Sequence, residues 1–194
     1  MTGKVFYIIG KSSSGKDTIY KRLIKETNLK PIVPYTTRPM REGETEGVEY
    51  HFVSSLEDIK RRGDIIESRS YNTKLGIWVY ATVNDGQVDL CTSNYLAIGT
   101  IASYIKIKDY LKDVVPIYIE VDDGIRLQRA LDREKMEKVP KYSEMCRRFL
   151  SDEEDFSEEK LSILNLDRVF KNINLDSCIN EIKEYMKGVT KCEL

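Results

Sequence analysis

Apolar positions along this chain recur in two periods, and the switches between them mark its elements. Residues 4–9 form a short, mostly apolar and β-rich run that ends at Gly10. A continuous run of this kind suits a strand covered on both faces in a parallel sheet. Downstream, Ile19, Leu23 and Ile24 fall at helical spacing within 18–26, so a helix follows the strand across a glycine-rich connection. Three prolines and two arginines crowd residues 31–43, a density that excludes a central strand or helix there. A strand pattern resumes at 49–53, followed by a helix capped by Ser54 or Ser55 and ended by Gly63. Between Ile65 and Val83, apolar and polar residues intersperse as in half-exposed antiparallel strands. Residues 32–86 thus form an inserted β-rich subdomain.

Alternation of strand and helix then returns. Strands are expected at 95–98, 114–121 and 169–172, and helices at 101–111, from an Asp123 cap onward, at 143–156 and at 175–186. Such alternation predicts a parallel α/β sheet. No internal repeat interrupts it.

Composition narrows the class. The chain has 194 residues, 32% of them charged and 41% hydrophobic, which suits one soluble globular domain with an insertion. A net charge of −1 gives no general attraction to nucleic acid or membrane, and no apolar run reaches the length of a membrane span. Neither partner is expected. Cys91, Cys146, Cys178 and Cys192 are scattered without a Cys-x-x-Cys pair, so they read as reduced thiols of a cytoplasmic protein. One histidine, His51, removes most triad and metal-cluster chemistries.

The candidate chemistry begins at Gly10-Lys11-Ser12-Ser13-Ser14-Gly15-Lys16-Asp17-Thr18. The phosphate-loop pattern is Gly, four residues, Gly-Lys, then Ser or Thr, set between a strand and a helix. Backbone N–H groups and the helix start attract phosphate oxygens there, and Lys16 adds a charge for the β- and γ-phosphates. Asp17 stands where the magnesium-binding hydroxyl is expected. Its carboxylate can take that place, or Thr18 can supply the hydroxyl, or water can mediate. Asp17 and Thr18 are therefore the candidate metal ligands.

Residues 36–53 read Thr-Thr-Arg-Pro-Met-Arg-Glu-Gly-Glu-Thr-Glu-Gly-Val-Glu-Tyr-His-Phe-Val. Arg38 and Arg41 on a proline-stiffened loop can clamp a dianionic phosphate, and Tyr50 can donate to it. This stretch resembles the monophosphate-binding segment of guanylate kinases, Thr-Thr-Arg-x-x-Arg-x-Gly-Glu-x-x-Gly-x-x-Tyr-x-Phe-Val, at every fixed position. With the loop before it and arginine-bearing helices after it, the resemblance spans nearly the whole chain.

The resemblance implies a P-loop nucleoside monophosphate kinase fold: a parallel sheet core flanked by helices, an inserted β-rich GMP-binding subdomain and a helical lid. As a single domain over 1–194, the core would comprise 1–31, 87–126 and 149–194, the acceptor subdomain 32–86 and the lid 127–148. It also implies ATP and GMP as substrates, magnesium (Mg2+) with ATP, and a monomer or weak homodimer. Gly10 to Thr18, Arg129 and Asn172 would bind ATP. Arg38, Arg41, Tyr50, Glu67, Tyr80, Thr82 and Thr100 would bind GMP, with Glu67 reading the guanine N1–H and amino group. Lys16, Arg38, Arg133 and Arg148 would stabilise the transferring phosphoryl group.

Two places depart from the family. For its Tyr-Gly-Ser/Thr motif the candidates are residues 75–77 or 80–82, of which Tyr80 and Thr82 retain both hydroxyls. Its Asp-x-Asp is missing at the strand reading Leu96-Ala-Ile-Gly-Thr100, where Thr100 offers a hydroxyl without charge. Ribose bisphosphate kinases, which also resemble this family and can carry Gly-Lys-Asp in the loop, supply an alternative acceptor. A non-catalytic guanylate-kinase-like binding module is the other alternative. Such modules usually lose the loop lysine and lid arginines, which remain here as Lys16, Arg133 and Arg148. The acidic run 153–160 reads as a solvated helix face, and Trp78 as packing.

Overall fold

A computed structural model describes residues 2–73 and 76–191. Leu75 of one candidate motif, and Cys192, lie outside them. The strand β1 (Val5–Gly10) is buried over its whole length. Val5, Tyr7 and Ile9 enter one core and Phe6 and Ile8 another, because successive side chains of a strand point to opposite faces. The helix α1 (Lys16–Glu26) begins two residues earlier than periodicity indicates, and it buries Ile19 and Leu23. After β2 (Lys30–Pro31), the chain leaves for β3 (Tyr35–Thr36), β4 (His51–Phe52), α2 (Leu56–Lys60) and the hairpin strands β5 (Asp64–Thr73) and β6 (Gly76–Asn84). It returns through β7 (Tyr95–Gly99), α3 (Ile101–Leu111) and β8 (Val114–Glu120). There follow α4 (Asp123–Lys135), α5 (Tyr142–Asp155), α6 (Glu158–Ser162), β9 (Val169–Lys171) and α7 (Leu175–Lys191).

The expected parallel sheet is present, in the order β2-β7-β1-β8-β9. Against one face pack α1 and α7, through Ile19, Leu23, Ile179 and Ile182. Against the other packs α3, through Ile101, Tyr104 and Ile107. Burying both faces explains why β1 reads as a continuous apolar run. The glycine loop leaves the C-terminal end of this central strand, where open α/β sheets form their ligand crevice.

A second sheet has the order β4-β3-β6-β5, and Ile59 of α2 packs onto its Tyr35, Val79, Ala81 and Val83. Here one expectation fails. The proline-rich segment does contain an interior strand: β3 pairs in parallel with β4 and antiparallel with β6. Pro34 and Pro39 bracket those two residues, so neither removes an N–H from the ladder. The α2 cap is Ser55, whose hydroxyl accepts from Asp58 N–H at 3.1 Å. At α4 the cap is Asp122, one residue before the expected Asp123.

Candidate active site

The phosphate loop closes tightly against its surroundings. A Cβ on Gly10 would stand 2.8 Å from the Ile119 carbonyl, and one on Gly15 only 2.4 Å from Asn172 Nδ2. Gly15 also lies at φ 85°, so glycine is required there on two counts. Ser13 takes the same left-handed region at φ 62°, which a serine adopts only under constraint. The N–H groups of Lys16, Asp17 and Thr18 open α1, where no carbonyl a turn earlier can satisfy them. With the Lys16 ammonium, they are donors that suit an anion.

Other loop groups are committed elsewhere. Ser12 N–H donates to Asp152 Oδ2 at 2.8 Å and its hydroxyl to Oδ1 at 3.2 Å. Lys11 Nζ, also expected at ATP, pairs here with Glu153 of α5 at 2.7 Å. Asn172, expected to bind ATP, is buried and donates to the Ser14 carbonyl at 2.8 Å. That amide braces the loop, because β9 ends directly behind Gly15.

The Asp17 carboxylate is 80% exposed and stands 3.8 Å from Lys16 Nζ. With the exposed Thr18 hydroxyl it offers hard oxygen donors at the start of α1. Magnesium binds few protein carboxylates and completes its shell with substrate phosphates and water, so this donor set fits the ion. No group of three or more His, Cys, Asp or Glu that could hold a metal alone occurs among the described residues.

On the expected acceptor side, Arg38 is buried and forked onto Glu44, with Nη1–Oε2 at 3.0 Å and Nη2–Oε1 at 2.7 Å. Its Nε donates to Tyr80 Oη at 3.0 Å, and the guanidinium lies over Tyr50 at 5.3 Å. The hydrogen bond from Arg38 holds the Glu44 carboxyl below its usual range. Arg41 is exposed, and its backbone N–H also donates to Glu44 at 2.7 Å. Of the two expected clamp arginines, Arg41 is thus presented to solvent while Arg38 is a braced pillar beneath the two tyrosines.

Farther in, Glu67 is only 3% exposed. Thr82 donates to its Oε1 at 3.1 Å and Ser103 to its Oε2 at 3.3 Å. Strand register sets Thr82 opposite Glu67 and Tyr80 opposite Arg69, on the same face of the hairpin. Arg69, which no motif marks, stands with Nε 3.3 Å from Glu67 Oε2 and donates to Thr100 Oγ1 at 3.3 Å. Thr100 is also the cap of α3, accepting from Ser103 N–H. A Cβ on Gly99 would fall 2.2 Å from Tyr7 Oη, so the strand lacking the Asp-x-Asp is instead filled by a tyrosine from β1. Burial, and then the Glu67 charge, push that phenol far above its ordinary value.

The arginines of α4 face the loop. Arg126 Nε donates to the Ser12 carbonyl at 3.0 Å and Nη2 to Asp152 at 2.7 Å. Arg129 Nη2 donates to the Asn172 carbonyl at 3.0 Å, and Arg133 Nη2 approaches Ser13 Oγ at 3.4 Å. Positions i, i+3 and i+7 share a helix face, which brings all three there. On α5, Arg147 and Arg148 both hold Glu144, whose carboxyl is lowered to about 2 chiefly by the Arg147 hydrogen bonds. Glu153, expected on a solvated face, instead faces Lys11 and Arg126.

An open cleft of about 1560 Å³ gathers part of this set, while Arg38, Glu67, Thr82, Thr100 and Arg133 are outside its lining. Lys16, Arg41, Tyr50, Tyr80 and Arg148 all line it, as does Trp78, which is therefore a cleft residue and more than packing. Sequence reasoning missed Arg69, Arg126 and Asp152. Arg126 and Asp152 act through partners distant in sequence, and Arg69 through Glu67 nearby and Thr100 far along the chain, so no motif marks them.

Comparisons with known proteins point to one family. The family model described as guanylate kinase matches residues 2–189. The guanylate kinase of Neisseria meningitidis serogroup A is 35% identical over 122 residues, covering 60% of this chain and 58% of that protein. The guanylate kinase of Chromobacterium violaceum is 21% identical over 194 residues, covering 91% and 90%. A crystal structure of guanylate kinase from Anaplasma phagocytophilum superposes with a TM-score of 0.67 at 18% identity, over 96% of this chain and 86% of that one, and shares its fold.

Proposed function

The chain belongs to the guanylate kinase family, and from that membership we propose that it transfers the γ-phosphoryl group of ATP to GMP, giving ADP and GDP. The observation that carries this reading is the common cleft. A helix-start anion site with Lys16, an acceptor wall of Arg41, Tyr50 and Tyr80, and Arg148 from the lid all open onto it.

In this reading a phosphate oxygen of GMP attacks the γ-phosphorus in line. The new O–P bond forms as the bond to the β-phosphate oxygen breaks, and ADP leaves with those electrons. Catalysis of such a transfer is mainly positioning and charge stabilisation. Lys16 and the first N–H groups of α1 hold the donor's terminal phosphates. Arg41 and Tyr50 hold the GMP phosphate, while Arg38, fixed by Glu44, keeps Tyr80 and Tyr50 in line. Glu67 offers its carboxylate to the guanine N1–H and amino group, and Arg69 must yield Oε2 to admit them. Arg133 and Arg148 close over the equatorial oxygens and exclude water. Magnesium, held by Asp17 or Thr18, would neutralise charge on the donor's phosphates. The action belongs in the cytoplasm with its nucleotide substrates, by a monomer or weak homodimer. Among the described residues, no helix is long and apolar enough to cross a membrane.

Arg69 beside Glu67 keeps one competitor in the test, since a cation at that end also suits the second phosphate of ribose 1,5-bisphosphate. An ATP-consumption assay with GMP, dGMP, AMP and the sugar bisphosphate separates them. Preferred turnover of GMP is expected. Turnover of the sugar with none of GMP would sink the GMP reading.

A further inference from the structure

We propose that Arg126 and Asp152 are positioning residues of the donor site, acting on the nucleotide through the backbone of Ser12. Charged side chains are almost never buried unless paired. Arg126 is 1% exposed and Asp152 9%, and they come from different helices, α4 and α5. Their ion pair encloses one residue of the phosphate loop. Asp152 Oδ2 accepts both Arg126 Nη2 at 2.7 Å and Ser12 N–H at 2.8 Å, while Arg126 Nε donates to the Ser12 carbonyl at 3.0 Å. Both backbone polar groups of Ser12 are thereby held. Phe149 stacks on the Arg126 guanidinium at 4.9 Å, and the Lys11–Glu153 pair closes the outer side.

The consequence falls on the next residue. With Ser12 pinned on both sides, Ser13 is carried into the left-handed region at φ 62°, which an L-residue enters at a cost and keeps only when its neighbours dictate it. Two residues on, Gly15 turns the chain into α1, so the orientation of Ser12 is inherited by the N–H groups that face the phosphates. The pair also sets the spacing of the lid. Arg148 precedes Asp152 by one turn of α5, and Arg133 follows Arg126 by two turns of α4. One ion pair therefore fixes both the loop and the roots of the arginines that close over it. Apolar residues could fill the same space but could not hold the Ser12 N–H and carbonyl.

The inference rests on the reading of this loop as the ATP site, so the first measurement is calorimetry of the full-length wild-type chain with Mg-ATP. Absence of binding there would overturn that reading and the inference with it. Given binding, the Arg126→Leu/Asp152→Leu double variant removes the pair without leaving a lone buried charge, an exchange that usually preserves stability. We expect its melting temperature to stay near wild type, its Kd for Mg-ATP to rise about 10- to 100-fold, as on losing charge-assisted hydrogen bonds, and its Kd for GMP to stay within about twofold. Asp152→Asn keeps an acceptor for Ser12 N–H and should recover part of the ATP affinity; it also decides the matter if the double variant does not fold. Unchanged ATP affinity in a folded variant, or an equal loss for ATP and GMP, would overturn the proposal.

Discussion

Arg38 and Asp17 show how far a residue's chemistry depends on what surrounds it. The tripeptide Thr-Thr-Arg made Arg38 legible as a phosphate ligand, yet its side chain is 2% exposed and forked onto Glu44. Removing one member of a buried pair strands the other, at about 3–5 kcal/mol. Arg38→Ala should therefore lower the urea midpoint markedly as well as raise the KM for GMP. Wild-type stability in that variant would mean that the Glu44 pair is not holding the acceptor loop. Asp17 is the reverse case: an apparent defect in the motif whose carboxylate is exposed beside Lys16. Arg69 is marked by no motif, because its meaning comes from Glu67, close along β5, and from Thr100, the cap of α3.

Among the elements, the glycine loop and the helices α4 and α5 carry the consequences. Ser13 sits at φ 62°, where a β-branched side chain is worse tolerated than serine and glycine is free. Ser13→Val should lose about 1–2 kcal/mol by chemical denaturation and Ser13→Gly should lose little; equal effects would remove the constraint argued for this residue. On α5, the Glu144 carboxyl is lowered from 4.5 to about 2, first by Arg147 and further by Arg148. A depressed carboxyl contributes stability that is complete above pH about 4.5 and disappears as pH falls toward about 2. Its exposure keeps that contribution small. A carboxyl NMR titration should find the Glu144 midpoint near 2, and Arg147→Ala should return it toward ordinary values. An unmoved midpoint would assign the shift elsewhere. The strands β1, β7 and β8 and the helices α1, α3 and α7 were all legible, since burial on one or two faces imposes a period on the sequence. The strand β3 was not, because two residues are too few to show one.

For the whole molecule, the decisive feature is that the glycine loop with the start of α1, the second sheet and the helix α5 face one cleft. Trp78 lines it and is the sole tryptophan, so its emission should change on adding GMP and again when Mg-ATP completes closure. Emission indifferent to both ligands would place binding away from this cleft. The sequence by itself determined the parallel α/β core, the glycine loop between strand and helix, and the motif from Thr36 to Val53 that carries the family resemblance. Those features consist of neighbouring residues, and local chemistry with regular burial leaves its mark directly on their order. Only the tertiary structure decided that Asn172 braces the loop, that Tyr7 fills the space at Gly99, and that Arg126 meets Asp152 around Ser12. Buried polar groups must find partners, but the partner is chosen by packing across the fold, and nothing in a linear sequence of charges says which one it will be.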